Sequence, residues 1–136
     1  MPPTRQEILA AGLAGAALAG LPSTAVTLAR GEDVLEGARA AGALVLPRGG
    51  AAAQLAAAVP VHIALSFGWA ALLAATLPRG QEPVAGALAG LAIAALDLGV
   101  IGRRIPAIRT LPQGRQWADH VAFGLAVGGA LRVCRR

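Results

Sequence analysis

Hydrophobic positions in this chain gather into four long runs instead of recurring at a helical or strand period. The runs cover roughly Ile8–Ala29, Ala58–Leu77, Val84–Gly102 and Trp117–Cys134, and arginine-bearing breaks separate them. Each is close to the ~20 residues a helix needs to cross a ~30 Å hydrocarbon core. A helix at a water-facing surface alternates apolar and polar positions, whereas these runs are apolar around most of their circumference. The pattern predicts an all-α chain, a four-helix transmembrane bundle that occupies residues 1–136 as a single integral membrane domain.

Small residues within the runs predict how the helices pack. The first run carries Gly12, Ala16 and Gly20 at four-residue steps, a ridge that lets a neighbouring backbone come close. Pro22 then breaks the hydrogen-bond ladder, with Ser23, Thr24 and Thr27 at hand for the freed carbonyls, so a kink is expected late in this helix. A signal-peptide reading, with cleavage near Ser23–Ala25, competes here. The uncharged stretch continues to Ala29, longer than an ordinary h-region, and favours a retained helix. Asp33–Leu46 reads as a short amphipathic helix at the membrane interface, ended by Pro47 and Gly49–Gly50. The second span is placed from Ala58 because Pro60 is tolerated in a first turn and costly later, with Ala51–Ala57 either extending the helix or covering the bundle's edge. The short turn Pro78–Pro83 predicts that the second and third spans are antiparallel neighbours. Gly86 with Gly90, and Gly124 with Gly128, supply two more close-contact faces.

Composition strengthens the lipid reading. Hydrophobic residues make up 56% of the chain and charged ones 14%, against about 25% charged in soluble proteins, too few to cover a water-facing surface. All twelve basic residues are arginine and the net charge is +5, which on its own invites a nucleic-acid reading. Their placement argues against it. Arg30, Arg48, Arg79, Arg103, Arg104 and Arg132 stand at the ends of apolar runs, where guanidinium groups meet lipid phosphates. The lipid bilayer is therefore the expected partner, with nucleic acid excluded. A homo-oligomer or a larger membrane complex is compatible with the glycine faces. The single cysteine, Cys134, rules out an intramolecular disulfide and a cysteine metal cage. Seven arginines follow the first and third runs and five lie elsewhere, a slight lean towards those loops being cytoplasmic.

Ionisable residues inside the runs are the candidate chemistry, since hydrocarbon makes them costly unless they face protein or water. Asp97 lies six residues before Arg103, roughly 9 Å at helical rise, and shares a helix face with Gly86 and Gly90 to within about 20°. It should point at another helix. Spans that alternate in direction bring His62, Asp97, Asp119 and His120 towards one side of the membrane, together with Ser23 and Thr24 at the kink. This cluster is open to three uses: a divalent-metal site, a proton relay, or a hydrogen-bonded plug in which Asp97 meets a histidine or Arg103–Arg104. No zinc-protease, nucleophile-elbow, P-loop or dinucleotide signature is present. Ser66 lies one turn from His62 without a placed acid. No catalytic residue, metal or cofactor is assigned.

The segments GLPSTAVTLARGEDVLEGARAAGALVLP, AALDLGVIGRRIPAIRTLP and QWADHVAFGLAVGG resemble those of small four-span bacterial integral membrane proteins of unassigned function. The resemblance implies a multi-pass protein of the bacterial inner membrane and no particular substrate. Two functions stand as expectations. One is a non-catalytic helical bundle or accessory subunit with a buried polar cluster; the other is a small transporter or proton-coupled permeability protein using Asp97, His62 and His120.

Overall fold

The computed structural model describes residues 2–136 and is all-helical, with no strand among them. In chain order the helices are α1 (Arg5–Leu18), α2 (Leu21–Ala29), α3 (Glu36–Gly42), α4 (Ala51–Thr76), α5 (Glu82–Leu96), α6 (Pro106–Arg109) and α7 (Gln113–Cys134). Between α5 and α6 the chain widens into a π-turn, Asp97–Ile101, and tightens into a 3-10 turn, Gly102–Arg104. Three segments are long and apolar enough to cross a membrane: Arg5–Ala29, Ala51–Thr76 and Glu82–Arg104. At 22 residues α7 has comparable length, but Arg115, Asp119, His120 and Arg132 make it the least apolar of the long helices.

The expected break at Pro22 is present as two helices meeting at Ala19–Gly20, with Pro22 in the first turn of α2, where its missing N–H costs nothing. At the other end of α2 the chain turns through Gly31, whose φ of 64° places it in the left-handed region. The Glu32 N–H reaches the Thr27 carbonyl and the Gly31 N–H reaches that of Leu28, at 3.0 and 3.1 Å, a Schellman closure that glycine adopts without a Cβ penalty.

Packing follows the small residues, with some reassignment. Gly86 and Gly90 of α5, expected as a close-contact face, meet the face of Gly124 and Gly128 on α7. A Cβ on Gly86 would lie 2.2 Å from the Gly124 carbonyl oxygen, and one on Gly90 would lie 2.2 Å from that of His120. On α1, Gly12 receives the Phe67 ring of α4, while Gly15, outside the expected ridge, receives Phe123 and Val127 of α7. Gly20 makes no such contact, because the α1–α2 break turns it away from the packed face. Ala11, Ala70, Leu73, Ile93, Phe123, Val127 and Leu131 form the core where α1, α4, α5 and α7 meet.

Three expectations need correction. First, α4 and α5 follow each other through a short turn yet make no extended contact; α4 lies on α1, and α5 lies on α7. The glycine seam allows α5 and α7 to approach backbone to backbone, which outweighs sequence adjacency. Second, α4 begins at Ala51 and runs through Pro60, so the proline sits inside the helix, exposed on its outer face. The early turns are held from outside. Gly42 of α3 abuts the Gln54 backbone so tightly that a Cβ would lie 1.8 Å from its carbonyl oxygen, and Gln54 Nε2 donates to the Leu46 carbonyl at 3.2 Å. Third, α3 covers Glu36–Gly42 and not the whole of Asp33–Leu46; Ala40, Gly42 and Ala43 are buried, while Val34, Leu35 and Val45 face outward.

Apolar side chains dominate the outside. Leu9 and Leu13 on α1, and Val84, Leu88 and Leu91 on α5, form outward stripes at helical spacing, with Leu13 62% and Val84 67% exposed. Contiguous apolar surface of this kind is rare on a water-soluble monomer and ordinary where lipid is the solvent.

Candidate functional site

A cavity of about 410 Å³ is lined by residues of α4, the α5 end, α7, the α1–α2 break and α3. All six residues of the expected polar cluster line it: Ser23, Thr24, His62, Asp97, Asp119 and His120. The π-turn that begins at Asp97 opens the helix ladder beside the cavity, a local irregularity often found where a helix carries a site.

Backbone carbonyls fix the protons on both imidazoles, because such an oxygen only accepts. His120 Nδ1 lies 2.7 Å from the Gln116 carbonyl one turn earlier, so Nδ1 carries a proton and donates it. The other nitrogen, Nε2, lies 3.5 Å from Asp97 Oδ2. With Nδ1 carrying its own proton, Nε2 is the nitrogen free to share a further proton with the Asp97 carboxyl. Both side chains stay partly open to the cavity, at 21% and 26% exposure, which leaves that proton reachable. Asp97 thus meets a histidine, not Arg103 or Arg104, which are exposed in the 3-10 turn.

The rest of the cluster closes the broken first helix. Asp119 Oδ1 accepts the Ser23 N–H at 2.8 Å, so a carboxylate from α7 caps the third residue of α2, whose N–H has no partner within its own helix. His62 Nε2 donates to the Ala16 carbonyl at 2.8 Å just before the break. That engagement keeps His62 from converging on the Asp97–His120 pair. Among the described residues, no three His, Cys, Asp or Glu side chains come together in a metal-binding group.

Beneath the cavity, Arg115 joins α7 to the α2 terminus: its Nη1 donates to Thr27 Oγ1 at 3.2 Å and its Nη2 to Glu32 Oε1 at 3.1 Å. The guanidinium holds the Glu32 carboxyl below its ordinary value, chiefly through these hydrogen bonds, and Arg39 does the same for Asp33.

A second polar cluster, at the opposite end of the bundle, was not anticipated. Arg135, with 6% of its side chain exposed, donates from Nε to Glu7 Oε1 at 2.7 Å and from its terminal nitrogens to the Ala74 and Leu77 carbonyls. It also lies 3.7 Å from Glu82, which is 1% exposed, receives the Gly80 N–H at 2.8 Å and stands 3.5 Å from Arg132. Residues from α1, α4, α5 and α7 are tied at one point. The same alternation of helix direction that gathers His62 and Asp97 gathers these, and the Thr4-x-x-Glu7 capping box, with Glu7 N to Thr4 Oγ1 at 3.2 Å, marks Glu7 as ordered. Arg132, expected among the headgroup contacts, is therefore an internal partner as well. Arg30, Arg48, Arg79, Arg103 and Arg104 are exposed at element ends.

Comparison of this chain with known protein families, curated proteins and solved structures finds no match.

Proposed function

We propose that the protein is a small multi-pass integral membrane protein of the bacterial inner membrane and that it serves as a proton-linked pathway or carrier for a small solute. The observation that carries this reading is the gathering of six polar side chains around one cavity, with an acid–imidazole pair on its wall. A plug that only fixed helix register would be expected to close on itself.

In this reading α7 is a fourth span and α3 lies at the interface. The 22 residues of α7 reach about 33 Å at helical rise. Its Asp119 and His120 turn towards α2 and α5, so the helix needs less apolar character than one surrounded by lipid. The role is non-enzymatic: His62 is engaged by the Ala16 carbonyl instead of activating Ser66. Arg30, Arg48, Arg79, Arg103 and Arg104 meet lipid headgroups at the two faces.

Reconstituted in liposomes, the wild type should show a pH-dependent flux of protons or small solutes that Asp97→Asn abolishes. An inert wild type would remove the transport reading. The glycine seam and the buried Glu7–Arg135–Glu82 cluster favour a second reading, a rigid bundle or accessory subunit. For that protein Gly90→Leu disrupts assembly and Asp97→Asn is mild.

A further inference from the structure

The charge inventory of the cavity points to what it accepts. Its titratable groups are Asp97 from the end of α5, Asp119 and His120 from α7, and His62 from α4; α1, α2 and α3 contribute none. Twelve arginines are present in the chain, and among the described lining residues there is not one. Two carboxyl groups without a guanidinium select against anions. The Ser23 N–H, in the first turn of α2, is already taken by Asp119. Trp69 and Phe123 add aromatic surface to an otherwise largely aliphatic wall. A volume of about 410 Å³ lies within the range that encloses a small organic molecule.

We propose, resting on the transport reading above, that the cavity binds a small organic monocation in exchange for the proton held between Asp97 and His120. The cation settles against the Asp97 carboxylate and the aromatic walls, where ring faces attract positive charge. The proton between His120 Nε2 and Asp97 leaves to solvent. His120 remains a neutral imidazole, with Nδ1 still donating to the Gln116 carbonyl. One positive charge enters as one departs, so the net charge of the cavity is the same before and after the exchange.

The test uses the full chain in lipid nanodiscs, titrated calorimetrically with benzyltrimethylammonium, a permanent cation with no proton of its own. Repeating the titration in two buffers of different ionisation enthalpy counts the protons released. The expected result is close to one proton released per cation bound, at a pH where the pair holds its proton, and affinity at least about tenfold above that for benzyl alcohol or benzoate. Asp97→Asn should lose about tenfold in affinity and release no proton, with its fold checked by circular dichroism and gel filtration. Cation binding without proton release, equal binding of the neutral or anionic probe, no binding, or a folded Asp97→Asn that binds like wild type would each overturn the proposal. The wild-type charge series and proton count decide the matter even if the variant does not fold. Asp97-dependent proton flux in liposomes without cation binding would sink this inference alone; absence of any flux would sink the transport reading beneath it.

Discussion

Two carboxylates do the work of backbone at the α1–α2 break and the α2 terminus. Asp119 stands in for the acceptor that α2 lacks at Ser23, so Asp119→Ala should destabilise the protein by about 0.5–2 kcal/mol, the usual worth of such a cap. Asp119→Asn, which keeps an accepting oxygen, should cost less; chemical unfolding in detergent compares the two. Glu32 is tied to Arg115, and its folded-state pKa is lowered from 4.5, so its contribution is present above that value and is lost as pH falls through the lowered one. Amide exchange across Thr27–Asp33, corrected for intrinsic rate, should therefore rise in the wild type on acidification. Glu32→Gln should start high at neutral pH and stay flat.

At the level of the helix pair, the α5–α7 seam has no room for side chains. Gly124→Val or Gly90→Leu would drive carbon into a facing backbone, where a Cβ already falls 2.0 to 2.2 Å from a carbonyl oxygen. A backbone cannot swing aside as a side-chain tip can, so either change should cost at least the ~1–3 kcal/mol typical of overpacking and separate α5 from α7. Gly129 is the internal control, being in the same helix with open space where a Cβ would go. Gly129→Ala should leave stability unchanged or raise it by up to about 1 kcal/mol, because alanine is the better helix former. Thermal unfolding of the three variants in one detergent decides whether the seam, and not helix propensity, sets stability.

Over the whole molecule, a clamp and a cavity occupy opposite ends. Arg135 neutralises Glu7 and Glu82 deep in the bundle, and Glu82 Oε1 already lacks a hydrogen-bond partner. Arg135→Ala would leave the buried Glu7 carboxyl without a cation and Glu82 with Arg132 alone, a loss expected to reach about 3–5 kcal/mol. Replacing Arg136, exposed at the adjacent position, should change little. The number of crossings is a whole-molecule property too: four spans put both termini on one side, three put them on opposite sides. Reporters fused in turn to the N- and C-terminus distinguish these, and opposite-sided signals would take α7 out of the membrane.

The runs of apolar residues were enough to establish an all-helical chain with helices able to cross a bilayer, because hydrocarbon leaves a compositional mark on each helix separately. The glycine pairs on α5 and α7 were equally legible, since four-residue spacing puts them on one face whatever lies opposite. His62, Asp97, Asp119 and His120 line one cavity, but the turn of His62 towards the Ala16 carbonyl had no signal in the sequence. Partner choice was not legible: α5 seats on α7 instead of on α4, its neighbour in sequence, because backbone-to-backbone fit is a property of two surfaces together. The same holds for Glu7, Glu82 and Arg135, which look like ordinary helix-end charges until four helices bring them within reach, and for the cavity, whose wall draws on α2, α3, α4, α5 and α7 at once. A sequence writes the preferences of each segment; which segments meet, and what space they leave between them, is decided by the competition among all the contacts at once.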